Sequence, residues 1–182
     1  MSKGTGAHGQ DGAVAPERAA GSSGLTAGCR VMTLDGELPV EFLAPGDRIV
    51  TRDGMRRLLS VSVTAYTGRA VRLAEGALGH NRPETGLTLP AGTRIRLRDW
   101  RARAMFGTAE GDAPVARLFD GQYVTETEVR GMRVYDLVFD TPQVIYAEGL
   151  EIACGAAPGS ADAAAEARPA AFQAGSRHAA RA

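Results

Sequence analysis

The side chains best suited to nucleophilic or metal chemistry are few in this 182-residue chain: Cys29, Cys154 and three histidines, His8, His80 and His178. Two cysteines make no disulfide framework, and no Cys-x-x-Cys pair offers zinc two thiolates. His8 and His178 fall near the ends of the chain, so a Cys/His or Ser/His/Asp constellation inside a folded core would have to use His80. His80 sits in a Gly-His-Asn-Arg-Pro loop, where a solvated ring is the simpler reading. A His-based metal site is not expected, and neither is a cofactor. Cys29 has two readings, a nucleophile or a small buried residue in a strand; the second is the usual fate of a free cysteine and is preferred.

Charge narrows the function classes further. With 21 basic and 21 acidic residues, the formal net charge is zero, so no global field recruits nucleic acid or an acidic substrate. Arg94, Arg96 and Arg98 alternate with Ile95 and Leu97, which puts three guanidinium groups on one face of a strand. The sharp reading is an anion-binding face. The preferred reading is a solvated sheet face paired with the acidic strand Glu126–Glu128, because few aromatics are interleaved for base stacking. Nothing at the N-terminus has the apolar core of a signal peptide, and no segment approaches the ~20 apolar residues of a membrane helix. The expectation is a cytoplasmic protein without membrane or nucleic-acid contacts. Export by a route without an N-terminal signal stays open, as do the protein partner and the oligomeric state.

The elements that would position these residues are mostly strands. Asp35-Gly36, Asp53-Gly54 and Asp120-Gly121 separate apolar runs, and Asp-Gly supplies the positive φ of tight hairpin turns. Pro45-Gly46-Asp47 is a turn with φ preset by proline. Strands are expected at 48–51, 61–66, 70–73, 87–89 and 132–139, with Tyr123, Thr125, Thr127 and Val129 on one face of another. Asp99 is positioned to cap a helix from Trp100 to Phe106 that Gly107 stops, and Asp112 to cap a second ending at Leu118 and Phe119. Trp100 is expected to anchor the core, and Asp47, Asp53 and Asp99 to serve turns and caps. Residues 1–23 and 155–182, rich in Gly, Ala and Ser, read as disordered tails around one domain at 24–154. Many short strands with one or two short helices make an all-β domain.

The segment Gly24–Thr51, GLTAGCRVMTLDGELPVEFLAPGDRIVT, carries several turn residues at fixed offsets. It resembles the start of bacterial Hint (Hedgehog/intein) domains. Ala74–Gly79 and Leu137–Leu150 resemble later motifs of that branch, and the resemblance covers about residues 24–154. It implies the Hint fold, an all-β wrap of short strands. It also implies autoprocessing, in which a Cys or Ser opening the domain attacks the preceding carbonyl in an acyl shift and a His assists the leaving amine.

Laid on the family's opening motif, the nucleophile position falls on Gly24, while Cys29 stands where Thr is common. The second motif, normally ending in His before an Arg, places Thr93 at the His position. Asp136 stands where another His can occur, and Phe139-Asp140-Thr141-Pro142 carries none. Asn81, the only Asn, is not placed for splicing-type cyclisation, and the segment preceding the module offers little to release. The resemblance therefore implies a degenerate, non-self-cleaving Hint module with a binding or structural role. The alternative is an active self-cleaving domain in which Cys29 performs an N-to-S shift at Gly28-Cys29, with general acid work falling to Thr93, Asp136 or water.

Overall fold

A computed structural model describes residues 23–155 and the backbone of Glu17–Arg18. The expected tails at 1–23 and 155–182 lie outside the described residues, apart from Ser23, Gly155 and that two-residue strand, β1, which pairs in parallel with the ribbon below.

The first half is built from one hairpin device used twice. Strands β2 (Leu25–Thr26), β3 (Arg30–Thr33), β4 (Gly36–Pro39), β5 (Arg48–Thr51) and β6 (Gly54–Arg57) include two hairpins, β3–β4 and β5–β6, each closed by Thr-x-Asp-Gly. In the first, Thr33 Oγ1 donates to Gly36 O at 2.7 Å and accepts from Asp35 N at 3.2 Å. In the second, Thr51 Oγ1 and Gly54 O lie 2.7 Å apart, and Asp53 N donates to Thr51 Oγ1 at 3.2 Å. The threonine thus satisfies the polar groups of the turn, and glycine takes the positive φ that the reversal requires. Asp120-Gly121 forms no hairpin. Asp120 Oδ1 instead accepts the amides of Gln122, Tyr123 and Val124 at 2.8–2.9 Å, and those bonds, Val124 first, hold its carboxyl below the usual range.

The long ribbon corrects a second expectation. The segments 61–66 and 70–73 are one strand, β7 (Ser60–Leu73), and the segments expected around 123–129 and 132–139 form another, β11 (Val124–Val138). They pair antiparallel from Ser60↔Val138 to Leu73↔Val124, with a bulge between Val129 and Met132. A bulge adds local twist without ending the pairing, so one continuous ribbon replaces four short strands. The five-stranded sheet runs β1–β7–β11–β2, with β8 (Leu87–Pro90) also on β7. The eight-stranded sheet runs β10–β9–β13–β12–β3–β5–β6, with β4 on β3; its later members are β9 (Arg94–Leu97), β10 (Gly111–Pro114), β12 (Gln143–Ala147) and β13 (Leu150–Cys154). Val31, Ile49, Leu73, Leu89, Ile95 and Ile145 belong to the shared core. Each such side chain contributes roughly 1.5–3 kcal/mol through burial.

Helix α1 (Trp100–Phe106) starts and stops as its flanks predict: Asp99 Oδ1 accepts Arg101 N at 2.9 Å, and Gly107 takes a left-handed φ of 71°. Only Ala102 of this helix is buried, and Trp100 is 70% exposed, so the expected core anchor is a surface residue. The second helix does not form. Asp112 lies in β10 and is drawn into a bidentate pair with Arg96, whose Nη2 donates to Asp112 Oδ2 at 2.9 Å; only a 3-10 turn, Val115–Leu118, follows.

The arginine face of β9 does present Ile95 and Leu97 to the core, but its partners are not Glu126 and Glu128. Arg94 donates to Asp112 O, Arg96 pairs with Asp112, and Arg98 meets Glu151 at 3.2 Å, whereas Glu126 is held by Arg69. Register explains the difference: β9 lies between β10 and β13, away from β11. Among the described residues no helix is long and apolar enough to cross a membrane, and no group of three His, Cys, Asp or Glu side chains is placed to hold a metal.

Candidate functional site

Strand β2 is only two residues long, but its pairing with β11 (Leu25↔Tyr135, Thr26↔Val134) delivers Gly24 to the point where both ends of the fold meet. A small cavity of about 30 Å³ there is lined by Ser23, Gly24, Asp136 and Cys154 among others. Thr93 reaches the same point from the turn after β8, where its amide donates to Pro90 O at 2.9 Å. Its hydroxyl is fully buried; it donates to Gly24 O at 3.0 Å and accepts from Gly24 N at 3.3 Å. One side chain therefore satisfies both polar groups of a main-chain residue 69 positions away.

Gly24 has φ 144°, a region that L-residues rarely enter. A Cβ built on it would lie 2.5 Å from Val134 Cγ1, 2.9 Å from Tyr135 O and 3.1 Å from Asp136 Oδ1. Tyr135 O is main chain within a paired strand and cannot swing aside. The position therefore lacks a side chain and has no room for one. Nearby, Cys154 is half-buried; burial, and then the charge of Asp136, push its thiol up to about 12. A thiol held in its neutral form is a poor nucleophile.

Cys29 is elsewhere. It is 3% exposed and sits in the turn between β2 and β3 rather than in a strand, with its amide donating to Thr26 O and its carbonyl accepting from Val40 N. Burial, reinforced by the negative charge of Glu148, pushes its thiol up to about 12. It lines a separate cleft of about 580 Å³ together with Thr26, Thr85, Arg72, Arg133 and Glu148. Of the three residues singled out in the sequence, Thr93 and Asp136 thus converge on Gly24, and Cys29 does not join them. His80 is exposed in its loop with φ 54°.

Glu148 carries no marker that singled it out in the sequence. It occupies the turn between β12 and β13 with φ 49°, a strained value for a glutamate, and its carboxylate is buried. Oε1 accepts Arg30 N at 2.8 Å and Nε at 3.2 Å; Oε2 accepts Arg30 Nη2 at 3.1 Å and Thr85 Oγ1 at 2.8 Å. Burial by itself would raise its pKa, but the bonds from Arg30 and Thr85 outweigh it and hold the carboxyl below the usual range. The only local signal is Glu-Gly at a hairpin tip, where Asn-Gly would be the ordinary choice. The clasp ties the start of β3 to the last hairpin, 118 positions apart.

Among curated proteins, none matches this chain in sequence. Among solved structures, the fold is similar to a bacterial intein-like domain from Clostridium thermocellum, at 13% identity and TM-score 0.50, over 74% of this chain and 99% of that one. The gp41-1 intein (11% identity, TM-score 0.48, 74% and 98% covered) and the MchDnaB-1 intein (15%, 0.49, 72% and 99%) are also similar. Residues 23–154 match the sequence profile described as the Hint domain, well over half of the chain, and the chain therefore belongs to the Hint domain family.

Proposed function

We propose that this protein is a degenerate Hint module that does not cleave itself and acts through binding or as a structural unit. The observation that carries this reading is the state of Gly24. The resemblance puts the attacking residue there, and the position has no side chain and no space for a Cβ. Two further observations support it. Thr93, at the position of the assisting His, spends its hydroxyl on both main-chain groups of Gly24. A neutral hydroxyl with a pKa far above 7 does not exchange protons as an imidazole does.

The competing reading, an N-to-S shift by Cys29 at Gly28-Cys29, requires a thiolate. Burial and the Glu148 charge oppose one, and among the described residues no imidazole lies beside Cys29. Both readings are tested by the intact mass of the full chain carrying an N-terminal fusion partner, after long incubation with and without a strong thiol. An unchanged mass in both conditions is expected. A thiol-dependent fragment beginning at Cys29, absent in Cys29→Ala, would overturn the degenerate reading.

A further inference from the structure

Two large aromatic side chains stand exposed around helix α1. Trp100 is 70% and Phe119 56% exposed, and between them opens a groove of about 350 Å³. Its floor is apolar, made by Leu78, Met105, Leu118 and Val124. The Trp100 ring is held in place. Asp99 Oδ2 accepts Arg101 Nη1 at 2.7 Å, and the Arg101 guanidinium lies 5.1 Å from the ring centroid, so it stacks on one face of the indole.

Charge around the groove is unbalanced although the chain as a whole is neutral. Arg101, Arg103 and Arg117 outnumber Asp99 and Asp120 there: Asp99 is engaged by Arg101, and Asp120, held by three backbone amides, keeps its negative charge. Arg117 on the rim and Arg103 beside Trp100 have no ion-pair partner among the described residues. An exposed tryptophan fixed beside surplus guanidinium groups is the composition of a protein-binding hot spot, and its rigidity lowers the entropy lost on binding.

The geometry points to a docking surface for a segment of another protein that inserts one large apolar side chain into the groove and sets flanking Asp or Glu residues against Arg117 and Arg103. A second copy of the same face would oppose arginine to arginine, which disfavours a symmetric dimer. Two unpaired guanidinium groups are few for tracking a phosphate backbone, which disfavours nucleic acid. This inference names a partner for the binding role proposed above. It concerns residues remote from Gly24, so its failure leaves the intact-mass test of that reading untouched.

Trp100, the only tryptophan, makes the test direct. A random peptide library displayed on phage is selected on the full chain, and the enriched peptides are synthesised and titrated with Trp100 emission as the readout. The expected peptides carry Phe, Trp or Leu beside at least two acidic residues, shift the emission to the blue and bind more weakly as salt rises. Labelled peptide should lose affinity about tenfold in Arg117→Glu and in Trp100→Ser, and not at all in Arg69→Ala. Peptides without acidic enrichment, or peptides that bind Arg117→Glu and Trp100→Ser undiminished, would overturn the proposal. So would displacement by an oligothymidylate, concentration-dependent dimerisation that buries Trp100, or occupation of the groove by the chain's own C-terminal segment, read as an emission already blue in the free chain that reddens when that segment's one phenylalanine is removed (Phe172→Ser).

Discussion

The junction at Gly24 and the groove at Trp100 treat their polar groups and their space in opposite ways. At the junction, Thr93 closes the hydrogen bonds of Gly24 and the remaining void is about 30 Å³. At the groove, the carboxylates are spent on internal bonds, two arginines are left over, and about 350 Å³ stands open between exposed aromatics. Well-satisfied, densely packed sites resist change, whereas unsatisfied exposed sites are where contacts remain to be made. In this member of the Hint family, the place where the fold's ends meet has the first character and a peripheral helix has the second.

The strongest way to break the contrast is to force a side chain into the junction. Gly24→Cys places a Cβ within 2.9 Å of Tyr135 O and 2.5 Å of Val134 Cγ1, at a φ of 144°. Strain and overpacking together should cost about 2–4 kcal/mol, measured by denaturant unfolding. The substitution supplies the thiol the family's chemistry calls for, yet a fusion carrying it should keep its full mass under thiol. Cleavage in Gly24→Cys with little loss of stability would mean that the junction is open, and the contrast would collapse.

Next in size is the Arg30–Glu148 clasp, which holds the start of β3 beside the 580 Å³ cleft. Glu148→Gln keeps the shape and removes the charge, with an expected loss of about 2 kcal/mol; the half-exposed Arg30 end keeps the figure modest. The sign of the pH dependence follows from the lowered folded-state pKa of Glu148. Its contribution is complete above the ordinary value of 4.5 and is lost as pH falls through the lower folded value. The stability difference between the two proteins should therefore be constant near neutrality and shrink in acid. A difference that grows on acidification would contradict the assignment.

How much of this was legible depends on the distance over which each residue is held. The Thr-x-Asp-Gly hairpins and the Asp99-to-Gly107 helix are set by neighbours within four to eight positions, and the sequence predicts them. Asp112 carries an equally good capping signal, but Arg96 on the adjacent strand competes for it through two charge-assisted bonds and wins. Trp100 was misread because its type favours burial, while its place at the first helical position turns the ring outward. The match of Gly24 with Thr93 was reachable only through the resemblance. Glu148 escaped notice because its four hydrogen-bond partners come from Arg30 and Thr85, far away in the chain.

A smaller effect sharpens the junction side alone. Thr93→Val preserves the β-branched shape and deletes only the hydroxyl, leaving the Gly24 N–H and C=O without their partner. The expected loss is about 1 kcal/mol, accompanied by faster amide exchange at Gly24. Unaltered exchange would mean that water replaces the hydroxyl and that the clasp has no part in holding β2.

The smallest effect belongs to the groove, and its smallness is the point. Trp100→Ser removes the largest side chain type, but the residue is 70% exposed and Arg101 stacks on its ring. Loss of an exposed cation–π contact and of little buried area should change stability by no more than about 0.5 kcal/mol. By comparison, Phe139→Ala in the core should cost about 3–5 kcal/mol, since Phe139 is fully buried. A surface tryptophan that adds almost nothing to the fold, with Arg101 stacked on it, is what the proposed docking surface requires. If Trp100→Ser instead destabilised the chain by several kcal/mol, the ring would be part of the core after all and the groove would not be free to receive a partner.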